Sequence, residues 1–289
     1  MSAYAKITTG LKNSGFTLME LIIVIVILGV MSVGLAGFIT LSTQTYVNVT
    51  ERDELLANAR FSVERLNREI RNALPHSVRV KNNTTSQCLE FVPIVASTVY
   101  TDIAVAPETA VNSLSVIPFE LENGDDYSCN ASNSCDDVVI VYPINNADIY
   151  QDHTDNSGKA FEINKYPATS TSEMELKQTA NFTEHSPTQR AYIIDAPVSY
   201  CLNGTTKTLT RYTNYGVKIV QDLPPSVVSS PTLNSSLMAN SLSFDNNDLP
   251  FTVLPASLQR NAVVQIKLNF TRDDEQVVFD NAIHINNTP

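Results

Sequence analysis

Few side chains in this sequence are placed to do chemistry. Glu20 comes first, because it is the last charge before a stretch that carries none until Glu51. An ionised carboxylate bordering so apolar a segment needs a cation, since a charge at the centre of a bilayer costs up to about 2.5–3.5 kcal/mol. Phe16 lies four residues earlier, on the same face of any helix that begins there. The four cysteines, Cys88, Cys129, Cys135 and Cys201, form an even set that admits three disulfide connectivities. The short loop CNASNSC favours Cys129–Cys135, which leaves Cys88–Cys201 on two expected strands. A zinc site is the weaker account, because the spacing is not CxxC and no histidine is near in sequence. His76, His153, His185 and His284 are scattered, and no GxSxG, HExxH, P-loop or GxGxxG occurs, so no enzyme is expected. The acidic pairs Asp125-Asp126 and Asp136-Asp137, together with Asp152, Asp155 and residues 245–248, are oxygen-rich. They lack the Asp-x-Asp-x-Asp-Gly spacing of a calcium loop, so solvated turns are the better reading and no cofactor is expected, with calcium as the open alternative.

The elements that must position these residues fall into two unlike parts. Residues 21–41 (LIIVIVILGVMSVGLAGFITL) are almost uniformly apolar, and a helix of that length spans roughly 30 Å, the thickness of a bilayer core. Lys6 and Lys12 precede it without any acid, and positive flanks stay cytoplasmic, so the chain is expected N-in with its C-terminal part outside. The run is longer than the core of a secretory signal peptide, and no small-x-small cleavage site follows it. Gly29, Gly34 and Gly37 within it either admit close packing or are simply tolerated in a membrane helix. Beyond it, Leu55, Ala59, Val63, Leu66, Ile70 and Ala73 recur at steps of three and four, which is helical periodicity. Arg60/Glu64, Glu64/Arg68 and Arg65/Glu69 pair at i,i+4 on the other faces. No proline precedes Pro75, so one helix is expected from about Phe16 to Ala73.

All 14 prolines follow residue 74, and there the helical period gives way to short β-branched runs. Strands are expected at residues 78–80, 88–95, 138–142, 192–194, 198–202, 208–212 and 217–220. Val264, Ile266, Leu268 and Phe270 alternate with polar residues, then a charged turn at 272–275 leads back through Val277, Phe279, Ile283 and Ile285. That pattern is a C-terminal hairpin with one buried face. Residues 144–190 and 222–257, rich in Asn, Ser, Thr, Pro and Asp, read as long loops. With 30 Asp+Glu against 19 Lys+Arg, the formal charge of -11 repels phosphate backbones and removes nucleic acid from the partner list. Only 17% of residues are charged, and the uncharged polar remainder suits an extracytoplasmic β-rich surface.

The segment Ser14-Gly15-Phe16-Thr17-Leu18-Met19-Glu20, followed by the apolar run, resembles the class III leader of type IV pilins and type II secretion pseudopilins. The resemblance implies that a prepilin peptidase cuts between Gly15 and Phe16 and that Phe16 is N-methylated. It assigns Glu20, the fifth mature residue, to assembly. The new amine of Phe16 would reach Glu20 within one subunit, and a neighbour's amine would replace it in a filament, setting the axial register. The implied fold is α+β, the pilin fold: a long N-terminal α-helix, membrane-spanning in its first half, packed on an antiparallel β-sheet head with long loops. The corresponding division is a leader at 1–15, a transmembrane and filament-core helix at 16–43, an amphipathic helix half at 44–74 and a periplasmic head at 75–289.

Residues 60–75 (RFSVERLNREIRNALP) are similar to the helix end of the larger minor pilins and pseudopilins, namely the PilW type, the J-type pseudopilin and the O-type protein of MSHA pilus biogenesis. Residues 88–94 and 197–202 look most like the last of these. Such a subunit would be scarce, non-catalytic, and engaged in initiating or priming assembly of an MSHA-like type IV pilus. Its implied partners are the inner membrane, prepilin peptidase, other minor and major pilins and the pilus assembly platform. Its implied location is the inner membrane, then the pilus or its tip. A J-type minor pseudopilin of type II secretion and a pilus-tip adhesin are the alternatives. A major pilin is disfavoured, because a bulky head packs poorly in a filament built from one repeated contact.

Overall fold

The computed structural model describes residues 15–130, 136–166, 172–226, 233–255, 261–272 and 275–285. The chain divides into two units, Met1–Glu54 and Leu55–Pro289. Helix α1 (Leu18–Arg71) is 54 residues long and runs from the first unit into the second. In the first unit it buries nothing, and its most apolar 18-residue window has a mean hydropathy of 2.9, so it is long and apolar enough to cross a membrane. Five of its hydroxyls bond to carbonyls of the preceding turn. Ser32 Oγ donates to the Leu28 carbonyl at 2.7 Å, and Thr40, Thr43, Thr45 and Thr50 donate to carbonyls four residues back at 2.8–2.9 Å. In lipid an unsatisfied polar group costs several kcal/mol, so this bonding makes the polar residues compatible with hydrocarbon. A Cβ added at Gly29, Gly34 or Gly37 would meet nothing within 4 Å, so no contact within the chain requires glycine there.

After α1 the chain enters β1 (Arg79–Asn82) and β2 (Ser86–Phe91). It then makes an excursion through β3 (Ile94–Asp102), β4 (Val111–Val116), β5 (Val138–Val141), β6 (Ser157–Gly158), β7 (Ala160–Lys165), β8 (Glu173–Phe182) and β9 (Arg190–Ile194). It returns as β10 (Val198–Asn203) and β11 (Thr208–Thr213), followed by β12 (Asn234–Ala239) and β13 (Leu242–Ser243). β14 (Phe251–Leu254), β15 (Ala262–Arg272) and β16 (Glu275–Ile285) complete the series.

The excursion is an insertion with a single neck. β2 and β10 are antiparallel neighbours with Phe91 opposite Val198, and β3 and β9 continue beside each other with Ile94 opposite Ile194. Within the inserted lobe the pairings run β4–β3–β9–β5–β7–β8 and return from β8 to β4. That circuit is a closed barrel, which removes the free strand edges an open sheet would present. Its interior is filled by side chains such as Tyr100, Leu114, Val139, Phe161, Met174, Phe182 and Ile193. Phe161 and Phe182 meet edge to face at 4.8 Å, an arrangement that adds specificity to the area they bury.

The base lobe is built on α1. Leu55, Ala59, Val63, Leu66 and Ile70 are all buried, and they share one core with Leu89, Tyr200 and Leu202 of the β1-β2-β10-β11-β12 sheet. Val264, Leu268 and Phe270 of β15 join the same core; β15 pairs with β13, β14 and β16. Burying one such aliphatic side chain is worth about 1.5–3 kcal/mol, so the periodic stripe is what docks this half of α1. A further cluster, with Leu74, Val92, Ile140, Tyr150 and Tyr192, joins the barrel wall to the base.

Two expectations need correction. The regions 144–190 and 222–257 are not long loops: the first supplies β6, β7 and β8 and the second β12, β13 and β14. β8 reads EMELKQTANF, with Met174 and Leu176 turned into the barrel and Glu173 and Glu175 outward, a period-two pattern in a polar context. Residues 217–220, expected as a strand, instead form a loop fastened by side chains. Arg79 donates to the carbonyls of Ile219 and Lys218 at 2.9 and 2.8 Å, and Lys81 Nζ donates to that of Gln221 at 2.7 Å. Arg79 also bonds the buried Glu90, so its charge is held by a partner and by carbonyls rather than left bare.

Candidate functional site

Gly15 and Phe16 precede the first helical residue, and Phe16 is 80% exposed. The peptide bond between them therefore lies outside the helical hydrogen-bond ladder, and nothing stands within 4 Å of a Cβ built at Gly15. The helix starts where it does because Thr17 and Glu20 form a capping box. Glu20 N–H donates to Thr17 Oγ1 at 3.3 Å, and Thr17 N–H donates to Glu20 Oε2 at 3.5 Å. Two of the amide groups that every helix start leaves without a partner are thus engaged. Phe16 stands immediately before this cap, and Glu20, exposed like its neighbours, meets no cation among the described residues. The arrangement can present an exposed, non-helical peptide bond to an endopeptidase while keeping the carboxylate one turn away. Thr17 did not emerge from the charge pattern, yet the signal was there: Thr-Leu-Met-Glu is the S/T-x-x-E pattern of such a cap.

Cys88 and Cys201 occupy directly opposed positions on β2 and β10 and form a disulfide. It closes a span of 113 residues that includes the entire inserted barrel. Cys129 is disulfide-bonded as well, bridged at backbone level to Tyr166 beside the ring cluster of Phe119, Tyr127 and Tyr166. Cys135, its expected partner, lies outside the described residues.

Acidic groups go mostly into turns and pairs. Asp152 accepts from Thr154, Asp245 accepts from Asn247, Asp248 pairs with Lys267 at 2.6 Å, and Asp137 accepts from the Tyr127 hydroxyl at 2.7 Å. Among the described residues no three His, Cys, Asp or Glu side chains converge as a metal site. The charge itself is unevenly placed. Residues 94–194 hold 15 of the 30 acidic residues and 4 of the 19 Lys and Arg, so their net charge is 4 − 15 = −11, equal to that of the whole chain. The barrel is the acidic body, and the rest of the chain is neutral.

The histidines remain apart. His76 adopts φ 63°, His185 stacks near Tyr100, and His284 is exposed on β16. His153 is buried, and its Nε2 bonds the Ile149 carbonyl at 3.0 Å. Burial holds its pKa below the ordinary imidazole value; the Ile149 bond and the charges of Glu162 and Asp152 oppose this only in part. The unfolded chain then takes up the proton first, so stability is intact above about pH 6.5 and is lost as pH falls through 6.5 toward the native value. Asp137, whose carboxyl is raised chiefly by burial, works in the opposite sense. The melting temperature of the full chain in detergent should therefore drop more between pH 7 and pH 5.5 than that of His153→Gln. Equal slopes for the two proteins would exclude His153 as the cause.

Residues 11–36 match a family model described as the prokaryotic N-terminal methylation motif, a span that includes Gly15, Phe16 and Glu20. No curated protein and no solved structure matches the chain.

Proposed function

We propose that this chain is a minor pilin-like subunit, processed between Gly15 and Phe16 by prepilin peptidase, that takes part in starting or priming assembly of a type IV pilus of the MSHA kind. The observation that carries this reading is the methylation motif over residues 11–36, joined to an exposed Gly15–Phe16 bond and an apolar helix with Glu20 in its first turn. Phe16 becomes the methylated N-terminus, α1 anchors the subunit in the inner membrane, and its apolar half later enters the filament core. Lys6 and Lys12 keep the leader cytoplasmic, so the two lobes face the periplasm, where the disulfides form. The barrel makes the head large for a repeated lattice position, which favours a scarce subunit near the tip. Other minor and major pilins and the assembly platform are its partners.

N-terminal sequencing and mass analysis of the protein from its own cells test the reading. The expected product starts at N-methylated Phe16 and has 289 − 15 = 274 residues; any other start overturns it. A J-type pseudopilin of type II secretion carries the same motif. Deletion separates the two, since loss of pili with normal exoenzyme export supports the pilin and the reverse supports the pseudopilin.

A further inference from the structure

The cluster that joins the barrel wall to the base does not close on itself: it borders a cavity of about 270 Å³. The floor is the outer face of the barrel. Val138 stands opposite Glu162 of β7 on one side and Ile194 of β9 on the other, while their neighbours Val139, Phe161 and Ile193 belong to the barrel interior. Val92, Ile149 and Val217 supply facing walls from three other segments. The polar side chains on the lining are Asp136, Glu162, Asp195, Asn214 and His153, and among the described residues no lysine or arginine lines it.

Hydrogen bonds to the surrounding structure hold the walls in place. Asp195 N–H donates to the Pro93 carbonyl at 3.3 Å, the Tyr215 hydroxyl donates to the buried Glu90 at 2.7 Å, and Gln178 Nε2 donates to the His153 carbonyl at 2.5 Å. His153 is itself buried, and burial favours its neutral ring. With Nε2 donating to Ile149, Nδ1 of that ring is an acceptor that meets no partner among the described residues. The carboxylates outnumber their cation. Lys177 reaches Glu162 at 3.0 Å and Asp136 at 3.9 Å, whereas Asp195 accepts from the Ala196 N–H and meets no cation among the described residues. The Asp137 carboxyl, raised chiefly by burial, is raised further by Asp195 and Asp136, so negative charge is concentrated at this edge of the cavity.

We infer that this cavity binds a small organic cation, a primary ammonium carried on a short apolar body. The aliphatic walls take the body, because water holds poorly against apolar surface and a cavity of this kind gains from being filled. An ammonium brings a charge and three donors, which suit the uncommitted Asp195 carboxylate and the open Nδ1 acceptor of His153. An anion has the wrong sign for this lining. A metal ion is the wrong cation, since no three His, Cys, Asp or Glu side chains among the described residues converge to hold one, and it would leave the aliphatic walls unfilled. The volume lies just below the roughly 300–1,000 Å³ typical of ligand pockets, which sets the body at the size of one ring or a short alkyl chain. The inference does not depend on where the chain is cleaved.

The test uses the full chain in detergent and three probes of one size: benzylammonium, benzyl alcohol and benzoate. Isothermal titration calorimetry, corrected for the same detergent without protein, should show saturable binding of benzylammonium about tenfold tighter than that of benzyl alcohol, and none of benzoate. Val217→Phe fills the cavity from its partly buried wall and should abolish binding. Asp195→Asn changes an exposed side chain; it should weaken benzylammonium about fivefold and leave benzyl alcohol unchanged, with an unaltered melting temperature. No saturable binding, an order of affinities that does not follow charge, or equal benzylammonium binding by Asp195→Asn overturns the proposal. So does binding that persists in Val217→Phe. If Val217→Phe lowers the melting temperature, the Asp195→Asn comparison decides alone.

Discussion

Replacing Cys88 and Cys201 together by alanine is expected to lower the stability of the second unit by about 2–5 kcal/mol, which for a domain of this size is a melting shift of roughly 5–15 °C. In the chain-entropy view, a cross-link that closes about 100 residues removes close to 4.7 kcal/mol of freedom from the unfolded chain, and here the closed span is 113 residues. Topology adds to the effect. The disulfide sits on β2 and β10, the strands that lead into and out of the barrel, so it fixes the neck at its root. Without it, the neck retains the β2–β10 pairing and the Asn72–Ile94 hydrogen bonds, each net worth only about 0.5–1.5 kcal/mol. The barrel and the base have separate cores and should then lose part of their mutual cooperativity. Alanine is the right replacement, because Cys88 and Cys201 are 1% and 5% exposed and a serine hydroxyl there would add an unpaired polar group of its own. Differential scanning calorimetry of the double variant checks this with the bond at Cys129 left intact. A melting temperature within a degree of the unmodified protein would mean that the base and neck contacts suffice without the staple.

Local patterns in the sequence carried the base lobe and the barrel strands at 138–142 and 192–194, but left the closure of the barrel hidden. The stripe from Leu55 to Ile70 and the alternation from Val264 to Phe270 are each produced by one element facing one core, so periodicity alone reveals them. The barrel depends on pairings between strands far apart in the chain, such as β4 with β8, and on strands whose outer faces are polar. Glu173 and Glu175 of β8 made a buried strand look like loop, and Asn234, Ser235 and Ser236 did the same for the edge strand β12. Residues 217–220 show the converse case. Their β-branched composition suggested a strand, but Arg79 donates to the carbonyls of Lys218 and Ile219 and Lys81 to that of the adjoining Gln221, so side chains take the place of a strand ladder there. At the candidate site, Phe16 and Glu20 are close enough in sequence for their spacing to be read directly.

Glu20→Ala should leave cleavage after Gly15 intact and reduce incorporation of the subunit into pili by roughly 10–100-fold. The size follows from a charge-assisted bond of about 1.5–3 kcal/mol between the Glu20 carboxylate and an N-terminal amine, lost at a tenfold change per 1.4 kcal/mol. Cleavage is spared because the scissile bond precedes the helix and its neighbours are unaltered. Two physical roles compete for this carboxylate. As the third helical residue it accepts from Thr17 N–H and completes the cap, a contribution that a glutamine can also make. As a counter-ion it needs its negative charge, which a glutamine lacks. Glu20→Gln therefore separates the two roles in the same cells. If charge pairing controls assembly, Glu20→Gln is as deficient as Glu20→Ala, and both mature proteins begin at Phe16. If capping alone matters, Glu20→Gln assembles at the unmodified level while Thr17→Ala, which removes the other half of the box, is impaired. Pilus-incorporated protein quantified beside membrane-resident protein distinguishes these outcomes from a failure of insertion, because a subunit that never reached the membrane would be missing from both fractions.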